Sequence, residues 1–484
     1  MMHRCCRPKT SSLCCGGTRP TGPHPVDRVP PLHKLLVFGL QHLCIMYAGA
    51  VAVPLIVGPA IGLKSAQIAA LVSADLLVSG IATIIQSAGI KNILGVRLPV
   101  VAGATFTVLN PMIIIANQYG GVKGLPYVYG AMLISGVLGM ILAKPFSRII
   151  RYFPPLVAGT VICIIGLSLG GADISLIAPT VVNGANVAQV SHVVLAGIVI
   201  LSIILISRLF RGFVSQIAVL LSIVIGTIVA ALIGQADFSN VAHAAWFGGP
   251  EIWRFGAPKF AIAPIITMCI VMVVTFTEST ADMLAVGELV EKDLKPNDLA
   301  RGLGTDALSA FIASFTNSFP DTAFAENVGL VGLTGIRSRW VVTTCGVFLL
   351  LMGLIPKVGQ IVADLPGPVI GGAATIMFSM VTAVGIQTLH KVNFRNNHNL
   401  LIVAVSLAVG LIPAFDPSFY DNFPKNFQVI FGSSITATVI TVFVLNLVFN
   451  EFGPRDQSES AVQLAVDEGA VVLPDVADSD AGVH

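Results

Sequence analysis

The residues of this chain that could do chemistry lie in stretches apolar enough to be buried in a membrane. In residues 326–335 (ENVGLVGLTG), Glu326 and Asn327 place a carboxylate and an amide in such a stretch, together with three glycines. A charged side chain at bilayer depth costs several kcal/mol, so it usually faces a cavity or a partner and marks a substrate or ion path. Pro320 interrupts the apolar run just upstream, and transporters form their binding sites where membrane helices are broken. This segment therefore predicts a binding site at membrane depth.

A second pair of carboxylates, Glu278 and Asp282, lies four residues apart. On a helix this spacing puts both on one face, where they can bind one ligand or share a proton. The alternative is a helix that ends early and leaves both in a solvated loop with Glu288 and Glu291. Because the uncharged stretch 261–277 is slightly shorter than the roughly 20 residues that span a bilayer, we place both carboxylates inside the membrane.

Two phenylalanines, Phe106 and Phe324, occupy matching positions in two proline-broken segments. Their aromatic faces would stack a flat ligand, and the alternative is packing in the core.

Three isolated polar residues allow more than one interpretation. His42 interrupts the first apolar span, where packing is the commoner use of a histidine. Asp306 lies close to Arg301, so a position at the membrane interface is an alternative, and Asp75 has no visible partner. Since the chain lacks a phosphate-binding Gly-rich loop, a CxxC pair and an HExxH motif, we predict no metal, no cofactor and no ATP-driven or metal-dependent enzyme activity.

The composition is that of a membrane protein. The chain has 484 residues, 55% of them hydrophobic and only 11% charged, whereas soluble domains carry about 25% charged residues. Its mean hydropathy is +0.87. Net charge is +2, which by itself argues neither for nor against nucleic acid; we expect no nucleic-acid partner. The eight cysteines form no disulfide pattern. The chain is predicted to be an all-α polytopic membrane protein in contact with the lipid bilayer.

The apolar runs predict about fourteen transmembrane spans in a membrane domain over residues 32–450, with disordered tails at 1–31 and 451–484. The polar loop 235–259 divides the spans into repeats of seven, about 35–234 and 261–450. An odd number of spans per repeat inverts the second repeat relative to the first, and the third and tenth spans are the discontinuous ones. With a cytoplasmic N-terminus, fourteen Lys and Arg residues fall inside and six outside, so both termini are predicted to be cytoplasmic.

The segment 326–335 fits the signature Q/E/P-N-x-G-x-x-x-x-T-R/K/G of the nucleobase-ascorbate transporters (nucleobase:cation symporter-2). Similarity extends over roughly residues 35–450, through 39–42 (GLQH), 47–54 (YAGAVAVP), 97–99 (RLP), 153–157 (FPPLV), 276–279 (FTES) and 315–320 (FTNSFP). The chain resembles most the bacterial uric acid and xanthine permeases. The resemblance implies core and gate domains, as in anion exchangers, symport of a nucleobase with a proton or sodium ion, an elevator-type motion, a homodimer and a place in the cell membrane.

The resemblance also implies roles for individual residues. Glu278 matches the glutamate that hydrogen-bonds the base, and Ala325 would offer its backbone N–H. The remaining matches are the signature residues Glu326 and Asn327, the ligand-flanking aromatics Phe106 and Phe324, the first-span His42, and the acids Asp282 and Asp306, which are linked to proton coupling or site integrity.

The identity of the substrate stays open at this level. Purine-transporting relatives mostly have Gln where this chain has Glu326, and glutamate there resembles the uracil-type members. The signature ends in Gly335 rather than in the arginine of several urate-handling relatives. We therefore expect proton-driven import of xanthine or uric acid, with a uracil-type permease as one alternative. An anion exchanger or channel of the same fold is another alternative. An integral-membrane enzyme is a further class, but no nucleophile–base pair at membrane depth in this sequence supports it.

Overall fold

The computed structural model describes residues 24–149, 154–182, 185–394 and 397–451. Most of the two predicted tails lies outside these residues. Residues 24–31 do not fit the predicted disordered tail, because a 3-10 turn at Pro25–Asp27 buries Val26 completely in an apolar cluster of the protein. The sequence prediction missed this because one apolar residue in a polar stretch carries no periodic signal.

The first half of the chain runs from residue 32 to residue 243. Its elements are α1 (Leu32–Ala60), α2 (Ser65–Ala88), β1 (Ala102–Ala104), α3 (Leu109–Gln118), α4 (Leu125–Ile149), α5 (Pro155–Ser168), α6 (Gly170–Ile177), β2 (Thr180–Val182), β3 (Ala185–Val187), α7 (Val190–Leu209), α8 (Phe213–Gln216), α9 (Ala218–Leu232) and α10 (Ser239–His243).

The second half runs from residue 262 to residue 451. Its elements are α11 (Ile262–Leu289), α12 (Pro296–Thr316), β4 (Asp321–Ala323), α13 (Ala325–Thr334), α14 (Arg339–Gly353), α15 (Pro356–Ala363), α16 (Gly367–Leu389), α17 (Asn397–Phe415), α18 (Lys425–Phe431) and α19 (Ser434–Asn446), followed by a π-helical turn (Leu447–Glu451).

The helices account for the fourteen predicted spans. Among the described residues, eight helices are long and apolar enough to cross a membrane, and two bent pairs, α14–α15 and the pair beginning with α18, raise the number to ten. The other four spans are the short α9, the charged α12, and the third and tenth spans, which are divided into β1–α3 and β4–α13. Short or interrupted segments fail a length criterion for a membrane helix even where the chain crosses.

Helix packing separates a core from a gate. In the core, α2 packs against α14 and α4 packs against α12, and these pairs are counterparts under the inverted repeat. Small residues permit the close approach of such helices: a Cβ added to Gly80 of α2 would lie 2.8 Å from the carbonyl oxygen of Gly346 in α14. In the gate, α16 packs against α5, α6 and α7, while α17 packs against α19.

The two discontinuous spans meet at the centre of the core. Strands β1 and β4 pair antiparallel with Ala102 opposite Ala323 and Ala104 opposite Asp321. Further backbone bonds extend the pairing, from Thr105 N to Pro320 O and from Phe324 N to Val101 O, both at 3.0 Å. Because unpaired backbone groups cost several kcal/mol in a membrane, this mutual pairing allows both helices to be interrupted. It also brings the beginnings of α3 and α13 together.

Candidate functional site

Glu278 lies within α11 and is held by the interrupted third span. Helix α11 continues to Leu289, so the alternative of a helix that ends before these carboxylates is wrong. Thr107 Oγ1 donates to Glu278 Oε1 at 2.8 Å, and Thr105 Oγ1 donates to Oε2 at 3.3 Å. Both threonines lie between β1 and α3 and are buried. Sequence reasoning missed them, although hydroxyl side chains at a helix break were a usable signal.

A group of acidic residues forms around Glu278. Asp282 follows it by one turn of α11 and lies within electrostatic range of Glu326, Glu278 and Asp306. Glu326 and Ala325 are exposed in the first turn of α13. The structure therefore brings together four carboxyl groups that are up to 48 positions apart in the chain. At a helix N-terminus, the free backbone N–H groups are also available to an acceptor.

The two predicted aromatics occupy different environments. Phe324 is 4% exposed, and a Cβ added to either Gly49 of α1 or Gly103 of β1 would lie 2.6 Å from its ring. Phe106 is partly buried and packs edge-to-face against Phe378 of the gate, with ring centroids 5.6 Å apart. Phe324 is thus fixed inside the core, whereas Phe106 lies at the boundary between core and gate.

His42 and Asn327 bind each other rather than the carboxylate group. His42 is 2% exposed, and the Asn327 amide nitrogen Nδ2 lies 3.1 Å from its Nδ1 and donates to its carbonyl oxygen at 2.9 Å. These bonds join the first turn of α13 to α1. Both residues therefore position the segment that carries Glu326.

Asp306 of α12 is fully buried beside α2. Gln86 Nε2 donates to Asp306 Oδ1 at 2.9 Å, and Arg301 pairs with Asp298 instead. The sequence left the burial of Asp306 open because Asp306 is only five residues from Arg301. On a helix this spacing is about a turn and a half.

A cavity of about 1010 Å³ separates core from gate, and none of the four carboxyl groups or the two phenylalanines lines it. Asn110 of α3 lines it one turn beyond Thr107, and Gln118 at the end of α3 donates to Gln428 of α18 across it at 2.5 Å. Its lining contains side-chain amides and hydroxyls as well as apolar residues, so it can admit a small polar molecule. Within the described part of the chain, no group of His, Cys, Asp and Glu is arranged to hold a metal ion.

Comparison with known proteins gives a family and a fold. Residues 33–419 match the family described as the permease family. The chain is 40% identical over 442 residues to the uric acid transporter UacT of Escherichia coli, covering 90% of each chain. It is 39% identical over 438 residues to the xanthine permease of Bacillus subtilis, covering 90% of this chain and 99% of the relative.

Two solved structures share the architecture at low sequence identity. The transmembrane domain of the cyanobacterial bicarbonate transporter BicA superposes with a TM-score of 0.58 at 11% identity, covering 87% of this chain and 99% of that chain. The murine Solute Carrier 26 family member A9 anion transporter gives a TM-score of 0.60 at 13% identity, covering 88% and 69%. At this level of identity the likeness shows the fold.

The position of Phe324 predicts a steric coupling with Gly49. We expect Gly49→Val to lower the free energy of unfolding by about 1–3 kcal/mol, because the added side chain would overlap the ring. Phe324→Leu should recover a measurable part of that loss in the double variant, which a double-mutant cycle on thermal unfolding in detergent would detect. Additive effects of the two substitutions would contradict the placement of the ring.

Proposed function

Because this chain belongs to the nucleobase-ascorbate transporter family, the permease family that matches residues 33–419, we propose that it imports oxopurine nucleobases, xanthine or uric acid, by proton symport. The observation that carries the proposal is the geometry around Glu278. Two threonines of one broken span hold it, and Asp282, one turn further along α11, lies within electrostatic range both of Glu278 and of Glu326 at the start of the other broken span. The names of the relatives point to the same substrates.

The chemistry of an oxopurine fits these groups. The base is a flat ring edged by alternating N–H donors and carbonyl acceptors. The Glu278 carboxylate can accept from two adjacent N–H groups, while backbone N–H groups at the start of α13, including that of Ala325, can donate to a carbonyl or to a partial negative charge. Phe106 and Phe324 supply aromatic faces at the two broken spans. In this proposal Asn327 and His42 hold α13 in place, and the hydrogen bonds between them support that role.

Protons are the coupling ion that these groups favour. Asp282 and Asp306 extend the acidic group away from Glu278, and burial of a carboxyl group favours its neutral form over its charged form. Proton binding would neutralise the group when the base is bound. Sodium is the alternative, and it needs several oxygen ligands at defined distances.

The remaining features of the proposal concern assembly and orientation. Both termini are cytoplasmic in the proposed orientation, with the protein in the cell membrane as a homodimer that associates through the gate. Apolar side chains exposed along α7, such as Val193 and Leu201, support contact with lipid or with a second copy. The core would move as a unit against the gate, in the elevator-type motion that the resemblance implies.

A uracil-type permease is the second candidate, because the glutamate at position 326 resembles the uracil-type members of the family. Competition of labelled xanthine uptake by unlabelled urate, uracil and hypoxanthine separates the two. Stronger competition by the purines supports the proposal, and selective competition by uracil would replace it with the pyrimidine alternative. Bicarbonate and other anions serve in the same experiment as the test of an anion exchanger.

Glu278→Gln is expected to reduce xanthine uptake by more than about tenfold. An amide places an N–H donor where the base also donates, and an unsatisfied buried polar group costs about 1–3 kcal/mol. The measurement is initial uptake in cells, with the amount of protein in the membrane quantified. Glu288→Gln, an exposed glutamate on the same helix, is the matched control and should transport normally. Unchanged uptake by Glu278→Gln would exclude this residue from the site.

Import should become faster as the external pH falls and should collapse when a protonophore is added. Replacing external sodium with choline should have little effect. The reason is that the acidic group around Asp282 can bind protons from the outside, and more of it is protonated at lower pH. Uptake in reconstituted vesicles with imposed ion gradients measures this. Dependence on a sodium gradient, with no response to a proton gradient, would contradict proton coupling.

Glu326 is expected to bias the site toward neutral bases. An ionised glutamate offers only acceptors, and its charge near Asp282 repels an anionic base. At neutral pH xanthine, which is mainly neutral, should be taken up at least as well as urate, which is an anion.

Glu326→Gln should shift the ratio of urate to xanthine uptake toward urate and flatten its dependence on pH. Glu288→Gln should leave the ratio unchanged. A wild-type protein that strongly prefers urate at neutral pH, with the same preference in Glu326→Gln, would contradict the electrostatic role of this residue.

A further inference from the structure

One face of α2 carries polar side chains at almost every turn. Asp75, Ser79, Thr83 and Gln86 follow one another at spacings of four, four and three residues, which places them on one helix face. None is more than 1% exposed. A buried polar stripe of this length inside a membrane domain requires partners on the neighbouring elements.

The partners include two further buried aspartates, Asp321 of β4 and Asp306 of α12, both fully buried. With Asp75 they form what we call the aspartate column. The hydrogen bonds that hold it run from Ser318 Oγ to Asp75 Oδ1 (3.3 Å), from Ser79 Oγ to Asp321 Oδ1 (2.9 Å) and from Gln86 Nε2 to Asp306 Oδ1 (2.9 Å).

The column is continuous in electrostatic terms. Asp75 interacts with Asp321, Asp321 interacts with Asp306, and Asp306 interacts with Asp282 of the acidic group around Glu278. A line of carboxyl groups therefore connects the half of α2 nearer to its start with the candidate substrate site. It passes behind β1 and β4, away from the cavity between core and gate.

Each aspartate of the column has one oxygen, Oδ2, that is buried and has no hydrogen-bond partner within 3.5 Å among the described residues. None of the ion pairs in the described part of the chain includes these aspartates. Burying an ionised carboxylate without a counter-ion costs far more than burying its neutral form. These are therefore groups that can take up and pass on a proton.

The other titratable groups on the elements packed against α2 do not bond to the column. They are His33, Lys34, His42, Cys44 and Tyr47 on α1, Asp298 and Arg301 on α12, Arg339 and Cys345 on α14, and Lys357 and Asp364 at the two ends of α15.

A second cavity, of about 320 Å³, lies near the Asp75 end of the column. It lies beneath the connection between α9 and α11, which packs against the core, and Ser73 and Asn317 line it. The Ser73 Oγ and Asn317 Oδ1 atoms are buried without hydrogen-bond partners among the described residues. Asn317 precedes Ser318, the donor to Asp75, so the lining of the cavity ends one residue away from a side chain that bonds the column. In the orientation proposed above, this cavity is on the outer side.

A structural role alone does not explain the carboxyl groups. The strand crossing is already held to α2 by Thr83, whose hydroxyl bonds both the carbonyl oxygen and the N–H of Ala102 at 3.0 Å. Ser309 of α12 accepts from Asp321 N at 3.0 Å in the same way. Hydroxyl groups satisfy the backbone here, so three further acids are not needed to build the crossing.

We propose that the aspartate column is the route by which the co-transported proton enters the core, with Asp75 as its outer proton-binding group and the cavity lined by Ser73 and Asn317 as its entrance. The proton binds the Asp75 carboxylate and passes by way of Asp321 and Asp306 to the acidic group around Glu278. The base takes a separate path, between core and gate. The inference rests on the proposed proton symport and assigns a role to two aspartates outside the substrate site.

The test uses the full chain in proteoliposomes with labelled xanthine. One assay measures accumulation driven by an inwardly directed proton gradient. The other measures exchange against internal unlabelled xanthine at equal pH, which requires substrate binding and core movement without net proton transfer. The variants are Asp75→Asn and Asp321→Asn. Asp173→Asn is the matched control, since Asp173 is a 3% exposed aspartate of the gate, outside the column.

We expect Asp75→Asn and Asp321→Asn to retain exchange within about twofold while gradient-driven accumulation falls by about tenfold, a typical size for coupling between two sites. Asp75→Glu should restore part of the accumulation, and Asp173→Asn should behave like the wild type. If Asp75→Asn does not fold, Ser318→Ala is the second variant. It removes the hydrogen bond to Asp75 and should shift the pH at which accumulation is half-maximal.

Several results would overturn the inference. Asp75→Asn with wild-type accumulation and pH dependence would exclude the route, as would an unchanged pH profile in Ser318→Ala. If a folded Asp75→Asn variant lost both exchange and accumulation, Asp75 would have a structural role and not the proposed role in proton transfer. Failure of the proposed function looks different: the wild-type protein itself would then show no xanthine uptake, or no response to the proton gradient.

Discussion

The pairing of β1 with β4 is the interaction on which the rest of the structure depends. Two helices interrupted at membrane depth leave backbone groups that neither lipid nor water can satisfy there, and the two interruptions satisfy each other. The crossing fixes where α3 and α13 begin. It therefore also fixes the positions of Thr107, which holds Glu278, and of Glu326 in the first turn of α13.

The same crossing divides the core into two sides with different chemistry. On one side, Thr107 holds Glu278, Phe106 packs against Phe378 of the gate, and Asn110 lines the cavity between core and gate. On the other, fully buried hydroxyls and carboxyls join β1 and β4 to α2 and α12. In the proposed function, the substrate binds on a surface that opens and closes, while the proton passes through the close-packed interior. This arrangement accommodates both requirements in one rigid unit.

Core and gate meet through contacts that relative motion can break. Phe106 packs edge-to-face against Phe378, and Gln118 donates to Gln428 across the cavity. Inside the core, by contrast, backbones approach closely at Gly80 and Gly346, so sliding of α2 against α14 would require their separation. This difference in packing supports the proposed motion of the core as one piece.

The sequence by itself determined the membrane class, the fourteen spans, the discontinuous third and tenth spans and the family, because hydrophobic length, charge and the signature at 326–335 are local properties of the chain. It also identified Glu278 and Glu326 as candidates, since a carboxylate in an apolar run is visible without a structure. Their roles stay predictions. Only the tertiary structure decided that Thr105 and Thr107 hold Glu278, that Asp306 is buried against Gln86, and that Asp75 and Asp321 belong together. A partner at least 171 residues away leaves no local signal, because the contact exists only after the inverted repeats interlock.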